Sequence, residues 1–137
     1  MPPESARTAE TRAWFTKATR DLRAADALLA LNPPLLGEVV FHCQQAAEKA
    51  MKGYLTWHDC PFGKTHDLAV IGGLCVERDQ GLEPICRRAE RLSVFAWVFR
   101  YPGDPEEPAI DDVRNALAVA REVLEAILSR LPGELRP

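Results

Sequence analysis

The chain is 137 residues long and carries 17 Lys and Arg against 20 Asp and Glu, a net charge of -3. That length fits a single domain able to bury its own core, and the acidic balance excludes a surface that is basic all over while leaving room for a local basic patch. No apolar run approaches ~20 residues and the opening MPPESARTAE lacks the apolar centre of a signal peptide, so no membrane association and a cytoplasmic location are expected.

The chain reads as helical almost throughout. Trp14, Ala18, Leu22, Ala25 and Leu28 or Leu29 recur at helical spacing and predict a first helix over about 8–31, stopped by Asn32-Pro33-Pro34. A second helix is predicted from Leu36 to Trp57, broken by Cys60-Pro61-Phe62-Gly63. A third, shorter one starts near Asp67 and ends around Asp79-Gln80-Gly81, weakened by its Gly72-Gly73 pair. A fourth runs from about Glu83 to Phe99 or Arg100, where Pro102-Gly103-Asp104-Pro105 ends it. The fifth begins near Pro108 and carries Ile110, Val113, Leu117, Ala120, Leu124, Ile127 and Leu131 on one face. No alternating strand pattern competes. The expected fold is therefore all-α, an antiparallel up-down bundle of four main helices plus a short extra one, in a single domain with its core over about 8–131 and a loose tail after Leu131.

Helix two sets the tertiary expectations. On a helical wheel Val39, Cys43, Ala46, Ala47, Ala50, Gly53 and Tyr54 form one broad apolar face, while Phe41, Met51 and Leu55 fall outside it, close to Gln44 and Glu48. A helix with apolar groups on two sides is buried on two sides. The stretch SVFAWVF, from Ser93 to Phe99, is apolar all round as well, and this excess of apolar faces points to a two-fold homodimer. His42, Gln45 and Lys49 make a polar line at the edge of helix two, either a solvated flank or the wall of a cleft. Glu48 and Lys52 read as an ordinary ion pair on the outer face.

The chemistry-bearing residues cluster in two loops. In an up-down order, the loop after helix two and the loop after helix four lie at one end, so FGKTHDL is expected to meet RYPGDPEEP. That would bring Lys64, Thr65, His66 and Asp67 together with Arg100, Tyr101 and Asp104. Arg100 offers a planar fork for phosphate, Lys64 a point charge, and the start of helix three unpaired N–H groups. The competing reading makes Asp67 or Thr65 a helix cap and leaves Lys64 solvated. Arg87, Arg88 and Arg91 form a second basic group on helix four, read as a solvated face balanced by Glu83 and Glu90. No complete nucleoside-triphosphate phosphate loop, nucleophile elbow or His-Glu-x-x-His motif is present. His42 and Cys43 are helix neighbours that point about 100° apart and cannot work as base and nucleophile. The cysteines Cys43, Cys60, Cys75 and Cys86 form no Cys-x-x-Cys pair and read as reduced thiols. His58, Cys60, His66 and Cys75 match no common zinc spacing, so neither metal nor cofactor is expected.

The segments FHCQQAAEKAMKGYL, KTHDL and FRYPGD, with Trp14 and DLRAADALL before them, resemble the HEPN domain (higher eukaryotes and prokaryotes nucleotide-binding). The resemblance spans nearly the whole chain. It implies a helical bundle, usually dimeric, that binds a nucleotide or RNA phosphate and is often paired with a small nucleotidyltransferase-type protein as toxin and antitoxin. Many such proteins look like metal-independent ribonucleases with an Arg followed by a His four to six residues on. Here no Arg stands in that position before His42, His58 or His66; the nearest substitute is Lys52 before His58, and Lys lacks the guanidinium fork. Three readings follow: a phosphate-binding module using the two loops, a protein-interaction module without nucleotide, and a ribonuclease with a non-standard site at His66 or His42.

Overall fold

The computed structural model describes residues 5–99, 102–103 and 107–137, the side chains at 95 and 96 excepted. Within them the chain forms α1 (Ala6–Leu29), α2 (Leu36–Trp57), α3 (Leu68–Arg78), α4 (Glu83–Val98) and α5 (Ile110–Leu128), with single 3-10 turns at Gln80–Leu82 and Gly133–Leu135 and no strand among the described residues. Local chemistry sets the ends. Ser5 caps α1 by accepting from the Thr8 N–H, and Asp67 caps α3 by accepting from the Ala69 N–H.

The apolar pattern of α2 makes it the central helix. Val39, Cys43, Ala47 and Ala50 on one side and Met51 and Leu55 on the other are all fully buried, so neighbours must cover it on more than one face. α1 runs antiparallel to it, with Phe15 against Gly53 and Asp21 against His42. α4 also runs antiparallel, with Phe99 against Gly37 and Trp97 against Phe41. α5 runs parallel to α2, with the Arg121 charge acting on the Cys43 thiol and that of Arg130, just past the helix end, acting on Tyr54. The four main helices are therefore an up-down bundle, as their short connections imply.

Small residues decide the closest approaches. A Cβ at Gly53 would lie 2.6 Å from Cε1 of Phe15, so the ring rests directly on the α2 backbone. A Cβ at Gly72 would lie 3.3 Å from that of Cys86, which explains a glycine inside α3 despite its cost in helix propensity. Gly73 faces open space.

Three expectations are corrected. The tail after Leu131 is docked: Leu135 is fully buried, Arg136 pairs with Glu125, and Arg12 Nε donates to the Glu134 carbonyl at 2.9 Å. Pro108 precedes the Ala109 cap, and Ile110, placed by the wheel on the core face, is partly exposed because it opens the helix beyond the covering neighbours. Glu48 and Lys52 are buried. They lie on the second apolar side of α2, beneath the returning 58–67 segment rather than in solvent.

Candidate functional site

The segment 58–67 does not turn tightly. It leaves the C-terminal end of α2 and returns along that helix, so that the His66 carbonyl accepts from Nε2 of Gln44 at 3.3 Å. α3 then runs in the same direction as α2, with Leu68 near Ser93 of α4 and the Cys75 thiol donating to the Met51 carbonyl. The two loops therefore do not start at one end, contrary to expectation: the loop after α2 starts at the end opposite the Phe99–Gly37 contact, and only its return brings His66 toward α4. His66 and Trp97 have ring centroids 6.5 Å apart. Arg100, Tyr101 and Asp104 lie outside the described residues.

Two carboxylates organise the polar edge of α2. Asp21 of α1 holds Nδ1 of His42 at 2.8 Å on one oxygen and Nζ of Lys49 at 2.6 Å on the other. Glu48 holds Nδ1 of His66 at 3.1 Å and Nζ of Lys52 at 3.2 Å. The two groups are joined through amides: Gln45 donates to Gln44 at 2.7 Å, and Gln44 donates to Glu48 at 3.0 Å. Each carboxylate therefore carries one lysine and one histidine, so its charge is already balanced before the imidazole is counted.

This arrangement sets the tautomers. An ionised carboxylate only accepts, so Nδ1 of each histidine carries the proton. Nε2 of each is left over, and neither forms a hydrogen bond among the described residues. A neutral imidazole held in this way offers Nε2 as an acceptor or base, and a protonated one offers it as a donor. His66 is the more accessible: its side chain is 63% exposed against 28% for His42. His58 differs. It packs edge-on against Tyr54 with no carboxylate partner among the described residues, and burial, followed by Arg78 and Arg7, lowers its pKa.

The remaining expected residues divide. Lys64 is exposed and makes no ion pair among the described residues. Thr65 accepts from the Asp67 N–H at 3.1 Å, and Asp67 accepts from the Ala69 N–H at 2.9 Å. Oγ of Ser93 takes the Leu68 N–H at 3.0 Å. These N–H groups at the start of α3 are already occupied, so an incoming phosphate would meet side chains here rather than backbone. Gly63-Lys64-Thr65 has the last letters of a phosphate loop but follows a helix and leads into a capped one.

Asp21, Ser93 and the burial of Glu48 and Lys52 were missed by sequence reasoning. Gln44, Glu48 and Lys52 recur at four-residue spacing beside Met51 and Leu55, a signal of a polar stripe inside an apolar side. Asp21 carried no such signal, because its partners sit on another helix. Lys52 lies between aromatic rings, with Nζ 5.8 Å from the Trp14 centroid and 5.4 Å from that of Phe62.

The thiols stand apart from this chemistry. All four cysteines are free, and burial pushes Cys43 up to about 12 and Cys86 up to about 11, with Cys75 raised as well. These three remain protonated and unreactive near neutrality. Among the described residues no group of three His, Cys, Asp or Glu side chains is placed to hold a metal ion.

A family model described as HEPN domain matches residues 11–131. The chain belongs to the HEPN domain family. The match covers all five helices apart from the first five residues of α1. No curated protein and no solved structure matches the chain. As a HEPN domain it is a helical module of the nucleotide-binding or ribonuclease type. No described helix of this HEPN domain is long and apolar enough to cross a membrane.

Proposed function

We propose that this HEPN domain binds the phosphate of a nucleotide or an RNA along the edge of α2, with His66, His42 and Lys64 facing the ligand. The observation that carries this reading is the pair of histidines anchored through Nδ1 on Asp21 and Glu48, each with Nε2 unbonded among the described residues. Lys64, two residues before His66, supplies an exposed cation, and Trp97, with its ring centroid 6.5 Å from that of His66, brings an aromatic ring toward a base. Arg100 and Tyr101 extend the phosphate site on the strength of the family resemblance and of their place just after Trp97 in the chain. The second reading, a metal-independent ribonuclease using His66 or His42, is favoured by the same free Nε2 atoms, which suit proton transfer to and from a ribose hydroxyl.

Thermal unfolding with mono-, di- and triphosphate nucleotides tests the site. A nucleotide that binds only the folded state, at about 100 times its dissociation constant, stabilises by about 2.7 kcal/mol. The wild type is expected to show this shift and His66→Ala to lose it. No shift with any nucleotide, and no retention of RNA, moves the assignment to a protein-interaction module in which KTHDL only caps α3. RNA cleavage that disappears in His66→Ala or His42→Ala establishes the ribonuclease; cleavage unchanged in both marks a contaminating nuclease.

The domain works as a homodimer in this proposal. Val94 is 66% exposed, and Trp97 and Val98, three and four residues on along α4, are partly exposed on the same side, an apolar surface on the outer side of α4. Sedimentation equilibrium is expected to give twice the 15.2 kDa chain mass for wild type and to fall toward the chain mass for Val94→Glu. A wild type that stays at the chain mass, or a variant as dimeric as wild type, removes this surface from the proposal. A nucleotidyltransferase-type partner, in a toxin–antitoxin-like pair, is the remaining element; the family resemblance alone supports it, and co-purification with such a protein is its test.

A further inference from the structure

A second basic feature lies on another face of the bundle, between α4 and α5. Arg87, Arg88 and Arg91 line a groove there with Asn115 and Val119, enclosing about 310 Å³. The sequence reading treats these arginines as a solvated face balanced by acids. The structure distributes the acids unevenly. Arg87 pairs with Glu83 at 2.9 Å, and Arg88 pairs with Glu122 on α5, while Arg91 has no carboxylate partner among the described residues. An adjoining cleft of about 80 Å³ shares Arg88, Arg91, Asn115 and Val119 with the groove and adds Asp112 and the buried Leu92 and Ala116, so Asp112 joins Glu83 and Glu122 as the acids near the arginines.

We propose that this α4/α5 groove is a second phosphate-binding site, separate from the histidine edge of α2, that takes a nucleotide polyphosphate or the backbone of a single-stranded RNA. Four arguments support phosphate. Guanidinium groups bind phosphate oxygens through planar paired donors and hold their charge at any accessible pH. Arg87 and Arg91 stand one turn apart on α4, roughly 6 Å along the axis, so two forks face the same side. Asn115 adds a neutral donor from the opposite wall, and the largely buried Val119 forms an apolar floor for a sugar. The ion pairs of Arg87 and Arg88 are surface pairs, which stabilise little and exchange readily for a more highly charged ligand. An acidic peptide would satisfy the charge, but peptide binding draws on accessible apolar anchors, and the apolar side chains here, Val119 and, in the adjoining cleft, Leu92 and Ala116, are all more than nine-tenths buried.

The proposal does not depend on the histidine site, and the test separates them. Binding of a short single-stranded RNA and of a nucleoside triphosphate is measured by fluorescence anisotropy over a series of salt concentrations. The proteins are wild type, Arg87→Gln/Arg91→Gln and His66→Ala. Each single-strand phosphate contact contributes about 0.7 to the slope of log K against log salt. The double arginine variant is expected to lose about 1.4 from the RNA slope, with the fold intact by circular dichroism, because both side chains are exposed. His66→Ala is expected to leave the arginine-dependent part of the slope in place. If the triphosphate binds with the same arginine dependence and the RNA binds no tighter, the occupant is a nucleotide; if RNA alone shows the dependence, it is a nucleic-acid backbone. The proposal is overturned if wild type binds neither probe, if the double variant keeps wild-type affinity and slope, or if an oligoglutamate peptide of matched charge competes as well as RNA.

Discussion

Glu48→Ala is expected to destabilise the domain by about 3–5 kcal/mol, because it strands a buried ammonium. Glu48 is 3% exposed and Lys52 6% exposed, and Glu48 is the one carboxylate within reach of Lys52 Nζ among the described residues. The Trp14 and Phe62 rings give that cation some compensation from their faces but accept no hydrogen bond of comparable strength. A domain of this kind has about 5–15 kcal/mol of total stability, so the variant would stand near its unfolding threshold. Urea denaturation measures the loss. The paired change Glu48→Leu with Lys52→Met, which removes both charges and keeps volume, should cost much less than the single change, since the desolvation of both ions disappears with them. A single variant within about 1 kcal/mol of wild type would mean that water reaches Lys52 and that the pair behaves as a surface one. The same pair of variants informs function: removing Glu48 frees Nδ1 of His66, and a His66-dependent nucleotide shift should weaken even in molecules that remain folded.

Phe15→Ala is expected to cost a comparable amount, about 3–5 kcal/mol, by a different route. The ring is fully buried and lies against Gly53 at a distance that leaves no room for a Cβ. Removing it opens a cavity at the closest approach of α1 and α2, and the flanking Ala18, Ala50 and Gly53 are too small to fill the space. The reverse change follows from the same contact. Gly53→Ala improves helix propensity, yet its Cβ would meet Phe15 Cε1 at 2.6 Å, so strain should outweigh that gain. Thermal or urea unfolding checks both variants. A stabilised Gly53→Ala would show that the ring can move aside.

Helix existence, order and most boundaries were legible in the sequence because they depend on local chemistry. Asn32-Pro33-Pro34 stops α1, Asp67 caps α3, and the apolar repeat of α5 from Val113 to Ile127 is buried as its period implies. The chain's two-sided apolar pattern also marked α2 as a helix covered on more than one face. The polar residues were less legible. An i, i+4 pair such as Glu48 and Lys52 has the same pattern whether it faces water or a returning loop. Which it faces depends on where residues 58–67 go, and no periodicity encodes the path of a loop.

The amino-acid sequence by itself determined an all-helical chain, the up-down order of its main helices and the family to which it belongs, since these rest on residue spacing, on stop and cap residues and on motifs tens of residues long. Only the tertiary structure decided which side chains work together. Asp21 reaches His42 and Lys49 because Phe15 and Gly53 bring α1 and α2 into one register, and Glu48 reaches His66 because the 58–67 segment runs back along α2 instead of turning at its end. Those contacts join residues 18 to 28 positions apart, and they exist only once close packing has fixed how the helices and the returning segment lie against each other.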